Sequence, residues 1–119
     1  MANKKKTKAL LINFNRLVDL SCKGAYISVM FQGGFVGLNC STFVSSDGKE
    51  YKCMDVDDDD PLIDAEDTNI AQKFDFSSSS LSLNEMKAVK CIKLTFEGST
   101  DFYGRITIYK LEIWGKEND

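Results

Sequence analysis

Asp55, Asp57, Asp59 and Glu66 occupy positions 1, 3, 5 and 12 of the stretch DVDDDDPLIDAE, the spacing at which an EF-hand loop offers oxygen ligands to calcium. That loop also needs a sharp turn at its sixth position, which glycine normally supplies. Asp60 stands there instead, and Pro61 behind it drives Asp60 toward extended backbone. The flanking segments read as strand and loop, not as paired helices, so the run is read as a solvated acidic loop. Four cysteines (Cys22, Cys40, Cys53, Cys91) are the other candidate ligands. None forms a CxxC pair and the chain has no histidine, so a structural zinc site would need all four together. Buried free thiols are the expected state. The lack of histidine also removes Ser-His-Asp and Cys-His nucleophile activation. No carboxylate or lysine pair is placed to substitute, so neither an enzyme nor a cofactor is expected. What remains is recognition chemistry. One of only two arginines, Arg105, sits in a polar, aromatic turn, TDFYGR, directly before the last strand.

The elements that must position such residues belong to one domain, as 119 residues with 43% hydrophobic content predict. The formal charge of −3 argues against a nucleic-acid partner, which needs a cationic face. Lys4, Lys5, Lys6 and Lys8 cluster at the start and read as a basic disordered tail over 1–8. No targeting or transmembrane segment is visible; ALLINF is too short for either and is followed by Asn15. An intracellular protein of the cytoplasm, the nucleus or both is the expectation, with its thiols reduced.

The dominant period is two. Leu10, Ile12 and Phe14 share one face, as do Ile27, Val29 and Phe31, and again Ile92, Leu94 and Phe96. STFVS, EYKCMDV and IAQKFDF are weaker strand candidates. Ser82 and Glu85 have the spacing of a capping box and predict one helical turn in SLNEMKAV. Asp47-Gly48 predicts a hairpin between two strands. In the last strand Ile106 and Ile108 share one face whereas Leu111 and Ile113 share the other, which predicts a bulge near Tyr109. About seven strands and no long helix predict an all-β, antiparallel β-sandwich. After the double glycine of FQGGF, the residues Phe35, Val36 and Leu38 belong to no alternating strand. Buried loop packing and an apolar tip for a partner both remain open there.

The segments FQGGF, TFVSSDGKEY, EDTNIAQKF and CIKLTFEGSTDFYGRITIYKLEIWG, in that order, resemble the discoidin, or coagulation factor V/VIII C-type, domain. FQGGF, EDTN with its following Gln and Phe, and DFYGR look especially like small intracellular, nuclear-receptor-associated members of that group. The resemblance spans about residues 9–115, leaving 116–119 as a C-terminal tail. It implies a galactose-binding-like jelly roll that lacks the usual N-terminal strand and loop. Glu112 matches the family's C-terminal calcium contact, yet the loop that would share the ion is missing, so no metal is expected and Glu112 is a weak candidate.

The resemblance further implies that the TDFYGR turn and the GGFVGL loop lie at one end of the sandwich, where relatives bind sugars, lipid headgroups or proteins. Phe35, Val36, Leu38, Phe102, Tyr103 and Arg105 are then the candidate partner-binding residues. Arg105 has two readings: a cation among rings at a binding rim, or a partner for Asp101 that braces the turn. The expected function is non-catalytic recognition of a protein partner; the alternative is a small-ligand module for carbohydrate or anionic lipid headgroup. An uncovered sheet edge implies a homo-oligomer, or else a chain shortened relative to its natural form.

Overall fold

Alternating apolar and polar residues let each long strand bury one face, and a computed structural model, which describes residues 7–56, 60–65 and 69–117, shows this arrangement. The strands are β1 (Lys8–Asp19), β2 (Tyr26–Phe31), β3 (Ser41–Ser45), β4 (Lys52–Cys53), β5 (Gln72–Asp75), β6 (Val89–Phe96), β7 (Ile108–Trp114) and β8 (Lys116–Glu117). One sheet has the order β4-β3-β6-β1-β8 and the other β5-β2-β7, with every pairing antiparallel. The protein is an all-β sandwich. Ile27, Val29 and Phe31 of β2 meet Ile92, Leu94 and Phe96 of β6 in one buried cluster. Phe31 and Phe96 cross between the sheets edge to face, with centroids 6.0 Å apart at 84°.

Local signals account for the details. The single helical turn α1 (Leu83–Met86) starts at a full capping box: Ser82 Oγ accepts from the Glu85 N–H, and the Glu85 carboxylate accepts from the Ser82 N–H. The β3–β4 hairpin turns through Gly48 at φ 81°. Asp47 Oδ1 accepts from the Lys49 and Glu50 backbone N–H groups, which holds its carboxyl down at about 2. The predicted bulge is present. Met30 pairs with Lys110 and Phe31 with Ile108, so Tyr109 is the extra residue and the inward face changes parity there.

Several elements differ from the sequence reading. Of EYKCMDV only Lys52–Cys53 pairs, and IAQKFDF keeps four paired residues before the 3-10 turn Phe76–Ser78. Strand pairing begins at Lys8, opposite Phe96, and extends to Glu117, opposite Val18, slightly beyond the 9–115 span at both ends. Gly115 makes the return possible. A Cβ there would sit 2.7 Å from Leu20 Cδ2 and 2.9 Å from the Asp19 carbonyl oxygen, so only glycine lets the chain pass from β7 to β8. All four cysteines are free, and burial pushes the Cys40 thiol up to about 12.

Candidate functional site

Beyond the end of β2 the chain enters a turn. Gly34 adopts φ 86°, Phe35 N–H donates to the Gln32 carbonyl (2.9 Å), and Gly33 N–H donates to Asn69 Oδ1 (2.6 Å). The following residues do not project freely. Thr107 N–H donates to the Phe35 carbonyl and Thr100 N–H to the Val36 carbonyl, both at 3.0 Å. Val36 N–H donates to Thr100 Oγ1 (2.9 Å), Gly37 bridges Ser99, and Leu38 N–H donates to the Gly98 carbonyl (2.8 Å). The two loops are therefore zipped into one surface at one end of the sandwich. The packing beneath is close: Gly37 lies against the Phe96 ring, with Cε1 2.7 Å from where a Cβ would be.

The second loop is built around Asp101. Its carboxylate accepts from the backbone N–H groups of Tyr103 (3.1 Å) and Arg105 (3.0 Å), while the Arg105 guanidinium donates through Nε (2.9 Å) and Nη2 (3.1 Å). The Arg105 fork, with these backbone donors, holds the Asp101 carboxyl at about 2, well below the usual carboxylate range. Gly104 closes the turn at φ 79°, and its carbonyl accepts from Lys8 Nζ (2.6 Å). The guanidinium carbon of Arg105 lies 5.2 Å from the Phe35 ring centroid and 5.4 Å from that of Tyr103. Arg105 thus clamps the two loops together, and its bidentate edge is taken by Asp101.

The six candidate residues divide by position. Phe102 and Tyr103 stand 82% and 77% exposed, edge to face at 5.1 Å. Leu38 is exposed on the other loop, and Phe35 is half-buried under Arg105. Val36 is a correction to the sequence reading: it is fully buried in the core and offers nothing to a partner. Asn69, Lys8 and Thr100 also build the surface, through the hydrogen bonds above. Lys8 had been assigned to the tail, and nothing in the local pattern marked any of the three.

Two of the possible metal ligands are otherwise engaged. Glu112 is exposed on β7 and pairs with Lys110 Nζ at 3.3 Å. Asp55 is buried; Oδ1 accepts from the Leu62 N–H (2.9 Å) and Oδ2 from the Cys53 thiol (3.6 Å). Asp57, Asp59 and Glu66 lie outside the described residues. Among the described residues no group of three or more Cys, Asp or Glu is placed to hold a metal ion, and no helix is long and apolar enough to cross a membrane.

No protein-family model and no solved structure matches the chain. It is similar to proteins named nuclear receptor 2C2-associated protein: 38% identical over 90 residues in Xenopus laevis (75% of this chain, 55% of that protein). In Danio rerio the identity is 33% over 109 residues (92% and 65%), and in Mus musculus 38% over 91 residues (76% and 55%). The chain thus spans between 55% and 65% of the length of these curated relatives.

Proposed function

We propose that the chain is a non-catalytic, intracellular recognition module of discoidin type that binds a protein partner through the end of the sandwich carrying Phe102 and Tyr103. The observation that carries this reading is the rigid display of two exposed aromatic rings. Large rings standing in water cost solvation free energy unless a partner covers them. Their turn is held by four hydrogen bonds to the Asp101 carboxylate, so little conformational entropy remains to be lost on binding. Rings of this kind, packed at a contact centre, are the usual source of binding energy. Leu38 supplies the apolar rim, and Phe35 and Arg105 act from beneath as the clamp. The relatives' name supports a protein, and a nuclear receptor of the 2C2 class is the first partner to try.

Biolayer interferometry with purified nuclear receptor 2C2 tests the reading. Binding by the wild-type chain, weakened at least about tenfold in Phe102→Ser/Tyr103→Ser with an unchanged melting curve, is the expected result. Equal binding by the double variant overturns the site. Failure of the wild type to bind the receptor, with uptake on a glycan array or on phosphatidylserine vesicles, overturns the partner class.

A further inference from the structure

The three-stranded sheet ends in β7, whose outer edge pairs with no other strand among the described residues. A free edge offers a row of unpaired backbone N–H and C=O groups and invites another strand; proteins commonly guard it with a lysine or a bulge. β7 has both, Lys110 and the bulge at Tyr109. The guard fails against one kind of visitor, because Glu112 follows on the same outward face. Lys110 and Glu112 are 61% and 48% exposed and only 3.3 Å apart.

We propose that β7 is a pairing edge for a second copy of this chain, antiparallel and centred on Leu111, so that Lys110 of each copy faces Glu112 of the other. In a two-fold antiparallel pair centred on Leu111, Leu111 meets its own copy on the inward face. The two cross-strand Lys-Glu pairs fall directly opposite, where opposite charges attract and like charges repel. Charge also selects this register. Centring on Glu112 sets two glutamates face to face, and centring on Lys110 sets two lysines so. Exposed Tyr109 and Trp114, one at each end of the paired stretch, lose water-facing apolar surface when a neighbouring strand arrives. The result is a continuous sheet across both copies.

The open stretch of β1 in the five-stranded sheet does not suit a copy. β1 pairs with β8 only at Val18 and Asp19, which leaves its earlier residues uncovered on that side. Centring a copy on Ile12 there sets Lys8 against Arg16, and Asn15 at φ 59° lies where the register of β1 shifts between Asn13 and Val18. The β7 pairing does not depend on the loop-end reading, which uses a different surface.

Sedimentation velocity on the full chain from about 1 to 200 µM tests the proposal. The wild type is expected to dimerise in this range. Lys110→Glu and Glu112→Lys each set like charges opposite one another and weaken the dimer at least about tenfold. Their equimolar mixture should recover dimers, because a strand with two glutamates then faces a strand with two lysines. The double variant Lys110→Glu/Glu112→Lys should also recover them. Melting curves of the two single variants serve as the folding control, since both lose the same intrachain pair. A wild type monomeric throughout overturns the proposal. So does a dimer indifferent to either charge reversal, or a mixture that recovers nothing.

Discussion

Gly37→Ala adds one methyl group where the chain has none to spare. The new Cβ would lie 2.7 and 2.8 Å from Phe96 Cε1 and Cγ, and closer still to Cδ1. Carbon atoms at rest stay about 3.5–4.0 Å apart, so the ring must move by close to an ångström. It has little room to do so: Phe96 is 3% exposed and sits edge to face on Phe31, which is fully buried. Overpacking of this kind costs about 1–3 kcal/mol, and a buried ring held between the Gly37 backbone and the Phe31 ring belongs in the upper half of that range. For a domain of this size that is a fall of about 6–12 °C in melting temperature. Urea unfolding monitored by circular dichroism measures the loss. Phe96→Leu shortens the obstructing side chain, so Gly37→Ala should cost at least about 1 kcal/mol less in that background, a coupling that a double-mutant cycle reads directly. Gly34 provides a contrast in the same loop. Nothing lies within 4 Å of a Cβ there, yet φ is +86°, so Gly34→Ala should cost about 1–2 kcal/mol from backbone strain and show no coupling to Phe96. A Gly37→Ala protein within about 0.5 kcal/mol of wild type would refute the packing argument.

Three further outcomes are expected. Asp101 has its folded pKa lowered from 3.8 to about 2, so its contribution is full above the unfolded value and drains away as pH falls through the folded one. Wild-type stability should therefore drop on acidification between pH 4 and 2, and Asp101→Asn should flatten that slope; an identical slope in acid titrations of the two proteins would count against the Arg105 clamp. Thr42 is fully buried and its hydroxyl has no hydrogen-bond partner among the described residues, so Thr42→Val should raise stability by about 1 kcal/mol, and a loss in urea unfolding would reveal an unseen partner. Phe35→Ala removes the ring beneath Arg105 and should cost about 1–2 kcal/mol in the same assay, whereas a neutral result would show that the two loops are not clamped together.

The strands and their turns were legible because their signals are local. A period of two placed Ile27, Val29 and Phe31 inward, and the same rule worked for Ile92, Leu94 and Phe96. The change of parity between Ile108 and Leu111 located the bulge at Tyr109. Ser82 and Glu85, three residues apart, announced the capping box, and Asp47-Gly48 announced the hairpin. Each of these features is enforced by geometry within a few residues of backbone, so residue type and spacing suffice.

The candidate site was legible only in outline. Its two segments could be quoted, but the roles within them could not be assigned. Phe35, Val36 and Leu38 lie in a stretch with no period, and only the ladder to residues 97–107 turns Val36 inward and leaves Leu38 outside. Arg105 could equally have faced a ligand or Asp101; the closure of the turn chose Asp101 and set the guanidinium over Phe35. Lys8 looked like a tail residue until β1 paired with β6 and brought it to the Gly104 carbonyl. The sequence alone thus determined the sandwich, its turns and its bulge, because hydrophobic alternation and backbone geometry act locally. Tertiary structure alone decided which loop side chains are core, clamp or surface, because that depends on segments brought together only when the two sheets close over one another.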